Sequence, residues 1–248
     1  MSMEYVNTTV IENKEISQGI FSMKVKHKEG VRAGQFYMLK GEIAFLGRPI
    51  SVCEVEADII RFVYAVVGTG TNELKNMKNG QTLKLIGPLG NGFDTEREYG
   101  KVALVGGGIG VAPMLEVAKG IRKKNSEVKM DFYGGFRDEI YLADEIENYV
   151  EKTYISTNTG KYGIKGFVTK PLIENIKNYD TILCCGPEVM MKKVVEIAKE
   201  NNVEIFISME KHMACGVGAC LVCTCKTKSG NKRTCKDGPV FNGLDIEF

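Results

Sequence analysis

Val102-Ala103-Leu104-Val105-Gly106-Gly107-Gly108-Ile109-Gly110-Val111-Ala112-Pro113 decides how this chain is read. Four apolar residues with two β-branched members read as a buried strand, the glycines as a tight turn, and Pro113 opens a helical segment running on from Met114. A strand, a glycine turn and a helix in that order place unpaired amides and the positive helix end where a pyrophosphate can sit. The spacing departs from G-x-G-x-x-G because Val111 takes the last glycine's place, and no acidic residue clearly closes the second strand. Taken alone, the same residues also describe a tight turn with no ligand.

Downstream, Val128–Phe132, Tyr154–Ser156, Ile182–Cys184 and Val203–Ile207 repeat the apolar strand pattern between helical stretches. With Val102–Val105 they predict five parallel strands in a doubly wound α/β unit over residues 99–208. Ligands are expected beyond the strand C-termini, and Cys185-Gly186-Pro187 ends the fourth strand at the same edge as the glycine turn. The helix from Pro187 gathers Met190, Val194, Ile197 and Ala198 on one face, with Lys192, Lys193, Glu196 and Lys199 largely on the other.

Upstream, residues 1–98 carry short alternating runs such as Phe36–Leu39 and Ile59–Val67, which predict a small antiparallel β-barrel. Gly87-Pro88-Leu89-Gly90-Asn91-Gly92 is dense in turn formers and marks a domain boundary or a wall of a site. Within the barrel, Arg48-Pro49-Ile50-Ser51 offers a guanidinium for a phosphate and a hydroxyl for a ring atom. Tyr64-Ala65-Val66 leads into Gly68-Thr69-Gly70-Thr71, where backbone amides and Thr71 can meet a diphosphate. Each of these short motifs also has a plain reading as a barrel rim or a hairpin end.

Residues 209–248 are too few and too rich in cysteine for a core of their own. Of eight cysteines in the chain, five lie between Cys215 and Cys235. Cys215, Cys220, Cys223 and Cys235 are spaced C-x4-C-x2-C-x11-C, which begins as plant-type [2Fe–2S] centres do. Four thiolates satisfy the outer positions of two irons, and Gly216, Gly218 and Ala219 let the backbone curl around the cluster with amides turned to sulfur. Zinc also accepts four thiolates, but its modules usually pair short C-x2–4-C knuckles. Cys225, two residues beyond Cys223, is read as a spare thiol.

Composition closes off other classes. The chain has 248 residues, 33 Lys and Arg against 31 Asp and Glu, and only two histidines, His27 and His212. No basic stripe suits nucleic acid, and histidine-based catalysis has almost no material. No apolar run is long enough for a membrane span. Met1–Thr9 shows neither a signal nor a transit pattern, so a cytoplasmic location is expected. His27, between Lys26 and Lys28, is expected to be solvated, and His212 to be surface or packing. Arg122-Lys123-Lys124 reads as a solubilising helix face, and Met209 and Met213 as packing around the cysteine segment.

Read in order, R-P-x-S, G-x-G-T, G-P-L-G-x-G, G-G-G-x-G-x-A-P and C-G-P resemble the ferredoxin reductase family of flavoproteins across nearly all of residues 1–207. Met213–Cys223 with Cys235-Lys236-Asp237-Gly238-Pro239-Val240-Phe241 is similar to the cluster segment of dihydroorotate dehydrogenase B electron-transfer subunits. A related subunit of NADH-dependent ferredoxin:NADP oxidoreductases has Asp as its first cluster ligand, where this chain has Cys215.

The resemblance implies FAD held by Arg48, Pro49, Ile50, Ser51, Tyr64, Ala65, Val66, Gly70 and Thr71. It implies NAD facing Gly106, Gly107, Gly108, Gly110, Cys185, Gly186 and Pro187, and a [2Fe–2S] cluster on Cys215, Cys220, Cys223 and Cys235. The implied task is passing electrons from a partner FMN-containing dihydroorotate dehydrogenase subunit through cluster and FAD to NAD, in a heterotetramer with two copies of each chain. No acid–base residue is then needed from this chain, and an exposed apolar surface near Ala214–Val222 is expected. Two other readings stand at this stage: the NAD(P)H-handling subunit of a ferredoxin or sulfide oxidoreductase, and a redox sensor without turnover.

Overall fold

The computed structural model describes residues 4–27 and 30–248. Its first unit is a closed barrel of six antiparallel strands: β1 (Glu4–Ser17), β2 (Ile20–Lys26), β3 (Phe36–Lys40), β4 (Arg48–Glu56), β5 (Ile59–Ala65) and β6 (Thr82–Leu89). The strand order is β1-β2-β5-β4-β3-β6, so every strand has two neighbours and no edge is exposed to unwanted pairing. Alternation delivers Met23, Val25, Tyr37, Leu39, Phe62, Tyr64 and Leu83 to its interior. One helix, α1 (Thr69–Asn76), bridges β5 and β6.

Two details of the barrel differ from the sequence expectation. Gly87-Pro88-Leu89 is not turn but the end of β6, with the Tyr37 ring packed where a side chain on Gly87 would stand; the turn begins at Gly90. His27 is half-buried, with Nε2 3.0 Å from the Tyr37 hydroxyl and the two rings edge to face.

The second unit contains β7 (Val102–Gly107), α2 (Ala112–Lys124), β8 (Met130–Phe136), α3 (Ala143–Glu147), β9 (Lys152–Thr157), β10 (Ile164–Lys165), α4 (Thr169–Asn175), β11 (Thr181–Cys185), α5 (Glu188–Glu200) and β12 (Glu204–Ser208). The five expected strands, β7, β8, β9, β11 and β12, are all present and parallel. They sit within a seven-stranded sheet ordered β10-β9-β8-β7-β11-β12 and closed at its far edge by a short strand near the C-terminus. Two edge additions were not visible in the sequence: the two-residue β10, and β15 (Val240–Asn242), which pairs antiparallel with β12.

Both faces of the sheet are covered, as parallel sheets require. Residues of α2 and α3 pack one face, in a core that takes in Ala33, Cys53, Val63 and Phe93 from the barrel side. Residues of α4 and α5 pack the other, joined by Cys225 and Ile246. Leu104 on central β7 is fully buried. Leu104→Ala is expected to cost about 2–5 kcal/mol, measurable as a lowered denaturation midpoint with an unchanged slope. Arg122 is an anchor and not a solubilising residue: its guanidinium donates to the carbonyls of Tyr149, Ser126 and Val128 and pairs with Glu151.

The remaining chain forms a hairpin, β13 (Thr224–Thr227) with β14 (Gly230–Arg233), and the cysteine loop before it. Its core is borrowed. Cys223 and Cys235 are buried against Phe36 and Met38 of β3 and Leu89 of β6, with Ile86 and Met213 beside them.

Candidate functional site

Strand order fixes where a ligand can enter. The chain moves outward from β7 to β8 and β9, then returns to β11 on β7's other side, so the connections leaving the C-terminal ends of β7 and β11 run to opposite faces at the switch point. A cleft of about 1040 Å³ opens there, walled by the sheet unit on one side and by Ser17, Ile20, Ala65 and Val67 of the barrel unit on the other. Its lining is predominantly apolar, the usual character of a cofactor site. Gly107, Gly108 and Pro187 line it.

Gly106, Gly110, Cys185 and Gly186 are absent from the cleft's lining. A Cβ on Gly110 would lie 2.5 Å from the Cys185 carbonyl oxygen and 2.6 Å from Gly186 Cα. A Cβ on Gly186 would stand 3.0 Å from the Gly107 backbone. The two loops therefore touch backbone to backbone, which only residues without side chains permit. Cys185 is buried in the core, and burial pushes its thiol well up. Gly108, at φ +52°, has open space where its side chain would be.

Sequence reasoning missed the far wall of the cleft. Strand β8 runs to Phe136, four residues beyond the expected end at Phe132, so Arg137 and Asp138 emerge at the cleft with Asn158 of the next strand's loop. Asp138 accepts a 2.6 Å hydrogen bond from Thr159 Oγ1. The signal was the unbroken run Met130–Phe136, obscured by Gly134 and Gly135. Phe167 and Val189, at 80% and 84% exposed, also line the cleft and present bare apolar surface to it.

On the barrel, Arg48-Pro49-Ile50-Ser51 opens β4 as half-buried strand and not as a rim turn. The Arg48 guanidinium lies against Gly70: a Cβ there would meet Arg48 Nε at 2.2 Å. It donates to the carbonyls of Leu46 and Gly47. Gly68, Thr69 and Gly70 do not form a hairpin end but start α1. Thr71 is turned inward, its hydroxyl accepting from the amides of Val67 and Gly68. Tyr64 is buried in the barrel core with its hydroxyl donated to Asn13 Oδ1, so only its backbone faces outward; Ala65 is the member of that strand that reaches the cleft. Val66 packs partly against the barrel core. A guanidinium beside a helix N-terminus suits a diphosphate. Gly70→Ala is expected to push Arg48 aside and lower bound flavin per purified chain, as read from the absorbance ratio of flavin to protein.

The four cysteines come together as two pairs. Cys220's amide and Val217's amide lie 3.4 Å from Cys215 Sγ, and Cys235's amide lies 3.4 Å from Cys223 Sγ. Burial would raise the Cys215 thiol, but those amides and the Cys220 thiol outweigh it and bring it down to about 6. Gly216 and Gly218, at φ +72° and +82°, turn the loop back on Met38 and Lys236. Among the described residues, no three His, Cys, Asp or Glu side chains group closely enough to hold one metal ion. Four thiols in pairs, with amides aimed at sulfur, fit a dinuclear iron–sulfur cluster by the chemistry of the donors. Cys225 packs elsewhere, in the sheet's core. Val217, Leu221 and Val222 stand exposed on the loop at 37%, 61% and 53%, the apolar surface expected there. His212 is exposed.

Comparison with known proteins agrees with this geometry. The profile for the iron–sulfur cluster binding domain of dihydroorotate dehydrogenase B matches residues 210–247, and that for the oxidoreductase NAD-binding domain matches residues 104–196. The dihydroorotate dehydrogenase B (NAD(+)) electron transfer subunit of Clostridium perfringens is 66% identical over 100% of both chains. That of Clostridium acetobutylicum is 48% identical over 99% of this chain and 98% of its own. Among solved structures, a chain from work on the NADH-dependent reduced ferredoxin-NADP oxidoreductase superposes with a TM-score of 0.87 at 28% identity, covering 97% of this chain and 89% of the other. The ferredoxin reductase of carbazole 1,9a-dioxygenase shares the fold, with a TM-score of 0.68 at 20% identity over 82% and 67% of the two chains.

Proposed function

The chain belongs to the family of dihydroorotate dehydrogenase B electron transfer subunits, and on that premise we propose how its residues divide the work of carrying electrons between a catalytic partner and NAD. The barrel holds FAD, with Arg48 and the α1 N-terminus at its phosphates and the β4 and β5 segments Pro49–Ser51 and Tyr64–Val66 along its body. The sheet unit holds NAD at the switch point, through Gly107, Gly108 and Pro187, while Gly106, Gly110, Cys185 and Gly186 keep the two loops in register. Cys215, Cys220, Cys223 and Cys235 hold a [2Fe–2S] cluster. When bound, the flavin exchanges a hydride with nicotinamide and single electrons with the cluster.

This chain supplies position and dryness, not acid or base. Apolar walls exclude water from the cleft, and the amides at Cys215 favour the thiolate form that iron requires. The observation that carries the reading is a shared foundation: the cysteine loop rests on β3 and β6 of the same barrel whose β5 lines the nucleotide cleft. The exposed Val217, Leu221 and Val222 are where the catalytic partner docks. That partner carries FMN and oxidises dihydroorotate, and the assembly has two copies of each chain. We place it in the cytoplasm; no helix among the described residues is long and apolar enough to cross a membrane.

Protein purified without oxygen is expected to contain one FAD, two irons and two sulfides per chain by chemical analysis. Four thiols loaded with zinc, and no sulfide, would refute the cluster assignment; absence of flavin would refute the barrel's role.

A further inference from the structure

The barrel and the sheet unit meet along a seam in which charges are buried. Arg61 on β5 and Glu54 on β4 are each only 9% exposed. Arg61 Nη2 donates to Glu145 Oε1 of α3 at 3.0 Å, Nη1 reaches Glu54 at 3.4 Å and also Glu145, and Nε donates to Ser22 Oγ at 2.9 Å. Lys119 of α2 donates to Glu54 at 2.7 Å and lies 3.8 Å from Glu56. Glu116, also of α2, accepts the Val55 amide at 2.8 Å. Burial opposes charge on both Glu54 and Lys119, yet their mutual contact prevails, holding the carboxyl below and the ammonium above their ordinary ranges.

Stability alone does not account for this arrangement. Well-packed apolar side chains of the same volume often hold a seam as firmly as buried ion pairs do. What directional, charge-assisted hydrogen bonds add is angle, because they weaken steeply when rotated. Three elements of the network lead into the cleft. Strand β5 carries Arg61 and ends at Ala65; α2 carries Glu116 and Lys119 and begins just after the Gly106–Gly110 loop; α3 carries Glu145 and follows the wall that includes Arg137 and Asp138. A rotation at the seam would therefore move one cleft wall against the other.

We propose that Arg61–Glu145 and Lys119–Glu54 form a positioning clamp that sets the angle between the barrel and the sheet unit, and with it the separation of the two cofactors. The proposal rests on the reading above, that flavin lies on the barrel and nicotinamide on the sheet unit. Arg61, Glu54, Lys119 and Glu145 touch neither cofactor site directly and act through the walls they orient.

The test uses the full chain with its cofactors, in native form and as Arg61→Met, Lys119→Met and Arg61→Lys. Spin labels attached by non-cysteine chemistry at Asn76 and Lys123 report the distance between the units by pulsed EPR. A single narrow distribution is expected in the native protein, at least about twofold broader in the two Met variants, and partly restored in Arg61→Lys. At saturating NADH, flavin reduction is expected to slow by about tenfold or more in the Met variants, with half-saturating NADH changed much less and flavin content retained. Native-like distance distributions in the Met variants would overturn the clamp. So would an unchanged reduction rate in variants that bind flavin while the native protein is reduced normally. A native protein that NADH fails to reduce would defeat the cofactor reading instead, and the distance measurement would then decide the clamp by itself. Should Arg61→Met not fold, Lys119→Met, at the less buried end of the network, carries the comparison.

Discussion

Cys223→Ser is expected to yield a folded, yellow protein that has lost its iron and sulfide and passes no electrons from the catalytic partner to NAD. Cys223 is buried against Phe36, Met38 and Leu89, and its sulfur takes the Cys235 amide. A serine oxygen is shorter and harder than a thiolate and leaves one iron short of a ligand. Loss of an outer-shell partner alone typically costs 10–100-fold, so removal of the ligand itself is expected to lower cluster content and partner-linked turnover by at least about 100-fold. The reaction of NADH with flavin should survive nearly intact, since no residue of the cysteine loop lines the cleft. Cys225→Ser is the matched control: that thiol packs in the sheet's core and should leave the cluster in place. Iron and sulfide analysis, together with the EPR signal after reduction, separates the two variants.

Gly110→Ala is expected to damage nicotinamide binding far more than Gly108→Ala does. The new methyl at 110 would have to occupy space 2.5 Å from the Cys185 carbonyl, and backbone on both sides leaves nothing flexible to yield. Forcing such an overpacked contact costs about 1–3 kcal/mol, which corresponds to a NADH dissociation constant raised by about fivefold to 150-fold if the loops part to relieve it. At Gly108 the methyl meets open space and only the left-handed φ is unfavourable, about 1–2 kcal/mol, a strain borne by the loop's own backbone and not by the contact between loops. Titration of NADH against flavin absorbance in both variants gives the ordering. Equal affinities would show that contact between the loops does not shape the site.

Much of this was legible from residues alone, because the relevant signals are local. A parallel strand announces itself by an apolar run, and all five interior strands were found from such runs. The cysteine spacing likewise carries its chemistry in sequence. What was hidden depends on partners distant in the chain. Strand β15 forms only because β12 offers an unpaired edge, and nothing in Val240–Asn242 says so. Thr71 looked available to a phosphate, but its hydroxyl is consumed by the turn it closes. Tyr64 lay in the right strand on the wrong face, since alternation sends its ring to the core and leaves the cleft to Ala65. The glycines of the two loops were read as facing a ligand, whereas Gly110 and Gly186 face the backbone of the opposite loop. Arg61 and Glu54 carried no motif at all and meet Glu145 and Lys119 only when the two units close.

The central claim is that hydride chemistry and one-electron chemistry are joined within this single chain. Its most direct test is an anaerobic titration of the purified protein with dithionite, followed by addition of NAD, while flavin absorbance and the cluster's EPR signal are recorded together. Three electrons per chain should be taken up, two by flavin and one by the cluster, and excess NAD should then withdraw all of them as three NADH per two chains, the odd electrons pairing between chains as the cluster's EPR signal disappears. Uptake of only two electrons, or NADH formation that leaves the cluster reduced, would contradict it.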